Sequence, residues 1–336
     1  KTMIAAYKAK LHSIEGEKVL FLCYNRLLCD NLIKIYKFNP IKSRRDEYKN
    51  VDFMTISQLT QKATGNYKDY DGLMEWLYDC VDDPEKFGYK HIIVDEGQDF
   101  GLIDILVGIS ASDAEKNCSI IDTLQEVVLS NSGTFYLFYD KYQMIQGSTN
   151  VYCRLTLKKN CRNTKEIART SVTPLKDQKN KAIKPIVASV WYEPIKPVLH
   201  IAKDEDESIQ KVHTILDKYK ENQVEDIVIL TPGKIEFCCL ADNIKQGEGE
   251  NSGYYLYEYN GSEYKITTCR KFKGLESEAV IMVDLNKESF TGKNGMEFYV
   301  GSSRAKQRLD IVCNLDENDY SELIRKLDVN APTGGT

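Results

Sequence analysis

The chain has 336 residues, more than one hydrophobic core usually serves, and we therefore expect two domains. Hydrophobic residues make up 42% and charged residues 28% of it, an ordinary balance for a globular protein, and no apolar run is long enough to span a bilayer. The net charge of -5 weighs against a protein held on nucleic acid by overall charge, but it leaves room for a local basic groove.

Cysteine and histidine usage argues against disulfides and against zinc. Among the 10 cysteines, Cys23 and Cys313 lie inside apolar runs, which suits reduced, buried thiols. The chain has 4 scattered histidines and no C-x-x-C pair, so a zinc site is not expected. Residues 1–10 lack the apolar core and cleavage site of a secretory signal, so the expected location is the cytoplasm.

Short apolar runs rich in β-branched or aromatic residues predict buried parallel strands. The runs are 19–24, 91–94, 134–138, 226–230, 264–268, 279–283 and 309–313. Helical patterns between them predict helices over 3–13, 103–109, 121–129, 164–169, 207–219 and 296–306. This alternation predicts an α/β fold with doubly wound parallel sheets, in which ligands bind beyond the carboxyl ends of the strands. The turn-rich residues 147–150 are the predicted domain boundary.

The string HIIVDEGQDF at residues 91–100 is the strongest local signal. An apolar strand delivers Asp95 and Glu96 together at its carboxyl end. A nucleotide hydrolase needs one carboxylate to hold magnesium and another to orient and deprotonate water. A bare Asp-Glu pair is usually an acidic strand-to-helix turn, but the longer pattern D-E-x-Q-D favours the hydrolase.

This string resembles motif II (Walker B) of superfamily-one DNA helicases of the UvrD/Rep type, and other segments resemble that family's motifs in the family's order. Lys1-Thr2, which a predicted helix follows at once, resembles the end of a Walker A loop whose glycines would lie upstream. In the first half of the chain, motif Ia resembles VLFLCYN at 19–25, the region after it resembles DFMTISQ at 52–58, and motif III resembles FYDKYQMIQG at 138–147. In the second half, motif IV resembles LTLKKNCRN at 155–163, motif V resembles residues 266–280, which contain KGLE, and motif VI resembles FYVGSSRA at 298–305. The sequences of these segments are most similar to those of helicases joined to a nuclease-related (NERD) domain.

The resemblance implies two RecA-like domains of the P-loop NTPase fold. Residues 1–150 would form domain 1A, with a small inserted 1B-like segment at about 26–90, and residues 151–336 would form domain 2A. ATP and Mg²⁺ are the implied cofactors, with ATP bound between the domains. Single-stranded DNA is the implied partner, together with a fused or partner nuclease domain, and no membrane is involved.

The resemblance also assigns roles in the first domain. Lys1 would reach the β and γ phosphates, and the Thr2 hydroxyl would coordinate magnesium. Asp95 would hold the same ion, and Glu96 would be the general base. Gln143 would sense the γ-phosphate and help to place the attacking water.

In the second domain, Arg162 and Arg304 match the family's two arginines that contact the γ-phosphate. Either could instead be a surface cation. Arg304 is predicted to lie in a helix that precedes a buried strand, near a sheet edge. Glu276 would bond the nucleotide ribose, and Gly274 would allow close approach of the backbone.

Residues after predicted strands are candidates for DNA contact. Tyr24 and Asn25 match a segment that touches single-stranded DNA in relatives, although core packing is an equal alternative for Tyr24. Thr55, Ser57 and Thr268 are candidates for bonds to phosphates.

These features predict an ATP-dependent DNA helicase or translocase. Two alternatives stay open: a DNA-triggered ATPase that regulates a nuclease, and a non-catalytic DNA-binding module. A nicotinamide or sugar enzyme ranks last, because no G-x-G-x-x-G follows the first strand. The chain departs from the family at Gln146, where relatives carry an aromatic residue, and at Arg270, often a histidine. The stretch 164–265 is also too short for a large accessory subdomain.

Overall fold

The computed structural model describes residues 1–100, 120–140, 157, 159–175, 184–187 and 195–332. The chain divides into two compact units, Lys1–Arg154 and Leu155–Thr336, which we call unit 1 and unit 2. Within the described ranges, no helix combines the length and the apolar composition needed to cross a membrane.

Unit 1 is built on a sheet of parallel strands. The described strands are β1 (Val19–Cys23), β2 (Val51–Thr55), β3 (His91–Asp95) and β4 (Phe135–Leu137), in the order β2-β1-β3-β4. All three pairings are parallel. The register places Cys23 beside both Thr55 and Asp95, so the carboxyl ends of β1, β2 and β3 are level. Polar side chains that follow these strands therefore share one edge of the sheet.

Helices cover this sheet. They are α1 (Thr2–Ile14), α2 (Arg26–Leu32), α3 (Lys42–Asp46), α4 (Ile56–Thr64), α5 (Tyr70–Asp82) and α6 (Ile120–Ser130). Leu20, Leu22, Ile92 and Val94 form one core with buried side chains of α4, α5 and α6. Helix α1 packs over β1, β2 and β3, and its small residues Ala5, Ala6 and Ala9 are buried. Residues 26–90, where an inserted segment is predicted, contribute β2 to this sheet and two helices to this core.

Unit 2 contains a larger sheet. Its strands are β7 (Val198–Ala202), β8 (Ile227–Thr231), β9 (Ile244–Gln246), β10 (Tyr255–Tyr259), β11 (Ser262–Thr268), β12 (Ser277–Asn286) and β13 (Ala305–Asn314), in the order β7-β13-β12-β8-β11-β10-β9. The first five in that order run parallel, and β10 and β9 add antiparallel strands at one edge. The short strands β5 (Lys159–Asn160) and β6 (Ile186–Val187) pair separately.

The helices of unit 2 are α7 (Lys165–Val172), α8 (Glu205–Glu221), α9 (Gly292–Ser302) and α10 (Glu317–Leu327). Helix α8 buries Val212, Ile215, Leu216 and Tyr219 in one core with residues of β8, β12 and β13. The two units thus confirm the predicted class, α/β with parallel sheets.

One predicted helix is wrong in its bounds. It was expected to run from 296 to 306 and to carry Arg304, but α9 ends at Ser302 and β13 begins at Ala305. The reason is sheet pairing: Ser277 lies opposite Ala305, and the Ser277 N–H donates to the Arg304 carbonyl at 3.1 Å. Arg304 therefore lies in the turn between helix and strand. The predicted helix 103–109 and the boundary 147–150 lie outside the described residues.

Candidate functional site

The strand β3 ends in a tight turn that holds two acidic residues. Asp95 is the last residue of the strand, and Glu96 follows in a left-handed conformation with φ 55° and ψ 42°. The next N–H, of Gly97, donates to the Phe138 carbonyl at 2.8 Å. A Cβ on Gly97 would lie 2.3 Å from Leu137 Cδ1, so any larger residue here would displace the Leu137 side chain. This packing fixes the direction in which both carboxylates leave the sheet.

Asp95 is almost completely buried, and one of its carboxylate oxygens has no hydrogen-bond partner. Its carboxylate is hydrogen-bonded to the Thr2 side chain, while its Oδ2 is buried without a hydrogen-bond partner. Burial, together with the nearby Glu96 carboxylate, raises the pKa of Asp95. A desolvated carboxylate oxygen of this kind gains most from a cation, and Mg²⁺ prefers oxygen ligands. Asp95 and Thr2 therefore fit a magnesium site.

Lys1 lies close to this pair, at the start of α1. Its Nζ donates to the Tyr139 carbonyl and forms an ion pair with Asp140 Oδ2, both at 3.1 Å. The start of a helix and a lysine together attract anions, because unpaired helix N–H groups and the ammonium carry the same sign of charge. To bind a phosphate, Lys1 would exchange the Asp140 carboxylate for phosphate oxygens.

Gln98 is a residue of this site that sequence reasoning missed. Its Nε2 donates to Glu96 Oε2 at 2.5 Å, and its Oε1 accepts from the Asp140 N–H at 2.9 Å. The side chain is 4% exposed. It thus ties the Glu96 carboxylate to the segment after β4, next to the Lys1 partner Asp140. The signal was present in the D-E-x-Q-D pattern, but only the two acids were assigned roles.

The candidates for DNA contact in unit 1 follow β1 and β2. Tyr24 is half-buried and packs against the core, with its ring centroid 6.2 Å from that of Phe100. The Asn25 and Thr55 side chains accept N–H bonds at the starts of α2 and α4. Ser57 Oγ lies 3.2 Å from the Tyr70 hydroxyl. All four residues lie at the predicted sheet edge, but Thr55 is buried and its hydroxyl is engaged in helix capping.

In unit 2 the structure brings the candidate residues of motifs IV and V together. Arg162 Nε donates to Glu276 Oε2 at 2.8 Å. Their side chains are 30% and 47% exposed, so each remains accessible. Gly274 has φ 83°, a conformation that glycine adopts without steric cost. The Thr268 hydroxyl accepts from the Lys271 N–H at 3.2 Å, which folds the start of the same loop.

Arg304 is held inside unit 2. It is 1% exposed, its Nε donates to the Val300 carbonyl at 2.8 Å, and its Nη2 lies 3.3 Å from Ser303 Oγ. A guanidinium cannot give up its charge, so burial demands such acceptors. Contact with a phosphate would require the side chain to exchange these partners.

Asn163 is a second residue that sequence reasoning missed. It is 2% exposed, and its Nδ2 donates to the carbonyls of Ser303 at 2.9 Å and Ala305 at 2.5 Å. These carbonyls flank Arg304, so the segment that contains Asn163 is bonded to the turn that contains Arg304. No feature of the sequence pointed to this role. Gln143, the remaining predicted catalytic residue, lies outside the described residues.

Among the described residues, two other groups of potential metal ligands are less suited to bind a metal ion than Asp95 and Thr2. In the first, the Thr134 N–H donates to His91 Nδ1, which leaves the His91 proton on Nε2, where it bonds to Glu17. A metal on Nε2 would place that proton opposite the Thr134 N–H. In the second, Cys238, Cys239 and Asp284, the hydrogen bond with Cys238 and then burial raise the pKa of the Cys239 thiol. A protonated thiol is a poor ligand.

Fold and site together define an α/β protein with two adjacent carboxylates at the carboxyl end of a parallel strand. No protein-family model and no curated protein sequence matches the chain. The chain is similar to the solved C-terminal domain of a possible DNA helicase from Lactobacillus plantarum WCFS1, with 16% identity, a TM-score of 0.34, and coverage of 48% of this chain and 92% of that one.

It is also similar to the PRRSV helicase, with 10% identity and a TM-score of 0.36 over 88% of this chain and 47% of that one. A third similar structure is Mss116p bound to ssRNA and AMP-PNP, with 12% identity and a TM-score of 0.38 over 93% of this chain and 62% of that one. The chain thus spans less than two thirds of these last two proteins. Similarities of this size carry no weight in assigning a reaction.

Proposed function

We propose that the chain is an ATP-hydrolysing motor of the superfamily-one DNA helicase class, similar to UvrD and Rep, that moves on single-stranded DNA. The observation that carries the proposal is the buried Asp95 carboxylate beside Thr2 and Glu96, with an oxygen free for a cation and Lys1 close by. A magnesium ligand, a base and a phosphate-binding cation are the groups that phosphoryl transfer to water requires.

In the proposed chemistry, residues of unit 1 would bind magnesium and the phosphates and would activate the attacking water. Asp95 and Thr2 hold Mg²⁺, which supplies neutralising charge to the phosphates when bound. Lys1 leaves Asp140 and binds phosphate oxygens. Glu96 accepts the proton of the attacking water, and Gln98 holds the Glu96 carboxylate in place.

The resemblance also gives roles in the proposed reaction to three residues of unit 2. Glu276 accepts a hydrogen bond from a ribose hydroxyl, which takes the place of its bond to Arg162. Arg162 is then free to stabilise the charge on the transferred phosphoryl group, the role in which arginines contribute on the order of 10³-fold in rate. Arg304 adds a second charge after leaving the Val300 carbonyl.

On the nucleic-acid side, the accessible part of Tyr24 and the polar side chains of Asn25 and Ser57 lie at one sheet edge of unit 1, and Thr268 is the last residue of β11 in unit 2. Aromatic stacking on a base contributes about 1–3 kcal/mol and tolerates any sequence. Thr55 is engaged in capping, so we expect the other residues to make the main contacts.

The experiment is ATP turnover by the full-length protein with and without single-stranded DNA. Glu96→Gln keeps the shape of the side chain and removes the base, and the exposed Glu221→Gln is its matched control. We expect DNA to stimulate turnover and Glu96→Gln to abolish the stimulation, while Glu221→Gln behaves as wild type. Turnover that ignores DNA, or that survives Glu96→Gln, would overturn the proposal. Stimulation by RNA of the same sequence but not by DNA would change its substrate.

A further inference from the structure

The inference concerns the backbone on either side of Arg304. Asn163 Nδ2 carries two hydrogens, and each bonds to one carbonyl: Ser303 O at 2.9 Å and Ala305 O at 2.5 Å. Both hydrogens of one buried amide are therefore used on the residues before and after Arg304. A hydroxyl offers one hydrogen and a carboxylate offers none, so asparagine is suited to this position.

Asn160 orients Asn163 from the other side. Its Nδ2 donates to Asn163 Oδ1 at 2.7 Å, and its Oδ1 accepts from the Arg162 N–H at 2.9 Å. One side chain thus fixes both the backbone of Arg162 and the amide of Asn163. The path from Arg162 through Asn160 and Asn163 to Arg304 consists of short hydrogen bonds, and Asn163 is 2% exposed.

Backbone bonds support the same junction. The Thr164 N–H donates to the Lys306 carbonyl at 3.2 Å, so the chain after Asn163 is also bonded to the start of β13. Loss of the Asn163 amide would leave the Ser303 and Ala305 carbonyls without this donor in a buried place, and the turn that carries Arg304 would be free to shift.

We propose that Asn163 is a positioning residue that fixes the backbone of Arg304 relative to the backbone of Arg162, so that both arginine side chains start from one rigid frame. The inference rests on the proposed function, because it matters only if Arg304 contributes to turnover. Misplacement of a charged group by about 1 Å costs about 100-fold in rate. A loosened turn is therefore expected to lower kcat and to leave ground-state nucleotide binding unchanged.

The test is a double-mutant cycle on ATP turnover in the full-length protein. Asn163→Ala and the nearly isosteric Asn163→Asp are combined with Arg304→Lys. We expect kcat to fall about 10- to 100-fold in either single Asn163 variant. The KM for ATP should stay near the wild-type value. In the Arg304→Lys background, the same Asn163 change should cost almost nothing further, because a residue that acts through Arg304 has nothing left to position.

Thr170→Val is the control for a merely structural role. Thr170 is buried in the same unit, and its Oγ1 donates to the Leu327 carbonyl at 3.1 Å, a bond that is not part of the path from Arg162 to Arg304. It should lower the melting temperature but not kcat. If an Asn163 variant does not fold, Asn160→Ala tests the same path from a more accessible position. Fully additive losses would overturn the inference and leave the proposed function standing, whereas an Arg304→Lys variant with wild-type kcat would overturn the inference together with the role proposed for Arg304.

Discussion

Gln98 Nε2 donates to Glu96 Oε2 at 2.5 Å, and the same side chain accepts from the Asp140 N–H. We expect Gln98→Ala to lower kcat about 10- to 100-fold, part of the 10²- to 10⁴-fold that a positioned base contributes. Gln98→Glu should cost more, because it places a second carboxylate against Glu96. The measurement is steady-state ATP turnover beside the affinity for a non-hydrolysable ATP analogue. An unchanged kcat in both variants would contradict a positioning role for Gln98.

Gly97→Ala is expected to destabilise unit 1. A Cβ at this position would meet Leu137 Cδ1 at 2.3 Å and Leu137 Cγ at 3.1 Å, so the Leu137 side chain must move away from the turn. Overpacking of this kind costs about 1–3 kcal/mol. The measurement is the free energy of unfolding in urea. Gly233→Ala is the matched control, because the nearest atom to its Cβ is Thr231 Oγ1 at 3.9 Å. Equal effects of the two variants would show that the close approach is unimportant.

The ionisation of Glu17 makes the free energy of unfolding depend on pH in the acidic range. The hydrogen bond from Lys90, with help from His91, lowers the pKa of Glu17 from 4.5 to about 2 against the opposing effect of burial. Because the folded value lies below the unfolded value, this contribution to stability is fully present above about 4.5 and is lost as the pH falls towards 2. Burial lowers the pKa of His91 as well, so its protonation opposes folding in the same direction.

The measurement for Glu17 is the free energy of unfolding at several pH values between 2 and 6, for the wild type and Glu17→Gln. The difference between the two proteins should be largest near pH 6 and should shrink as the pH falls. Taking the difference cancels the titration of other carboxylates. A gap that stays constant with pH would contradict the assignment.

We expect variants of the pair Arg162–Glu276 to change ATP turnover without changing the stability of the fold. Its side chains are 30% and 47% exposed, and ion pairs of that exposure contribute about 0–1 kcal/mol to folding. We therefore expect Arg162→Ala to leave the melting temperature nearly unchanged while lowering kcat on the order of 10³-fold. Glu276→Ala should mainly raise the KM for ATP. The exposed pair Lys196–Asp328 offers the control Lys196→Ala, which should change none of these quantities.

The sequence predicted the central strands and β4, but it missed the edge strands β2 and β7. Strands β1 and β3 are buried at every residue, so their apolar runs VLFLC and HIIVD stand out. Strand β2 lies at an edge, and its burial alternates, with Asp52 and Met54 partly exposed. The edge strand β7 contains the buried His200, whose Nε2 lies 2.7 Å from Asp310 Oδ1 on β13. Patterns that depend on a distant partner are not visible in local composition.

The residues of the candidate site also differ in whether the local sequence predicts them. Asp95 and Glu96 were found because adjacent acids after an apolar run form a local pattern. Asn163 was missed because its carbonyl partners lie 140 and 142 residues away. The helical placement of Arg304 failed because the pairing of Ala305 with Ser277 ends the helix early. Periodicity within α9 gave no sign of that long-range contact.

The left-handed backbone of Glu96 has a consequence for protein engineering. A side chain in this region costs on the order of 1 kcal/mol relative to glycine. A library selected for heat resistance alone should therefore enrich Glu96→Gly, the substitution that removes the proposed base. Directed evolution of this protein would trade turnover for robustness at its first step, unless each round also scored hydrolysis.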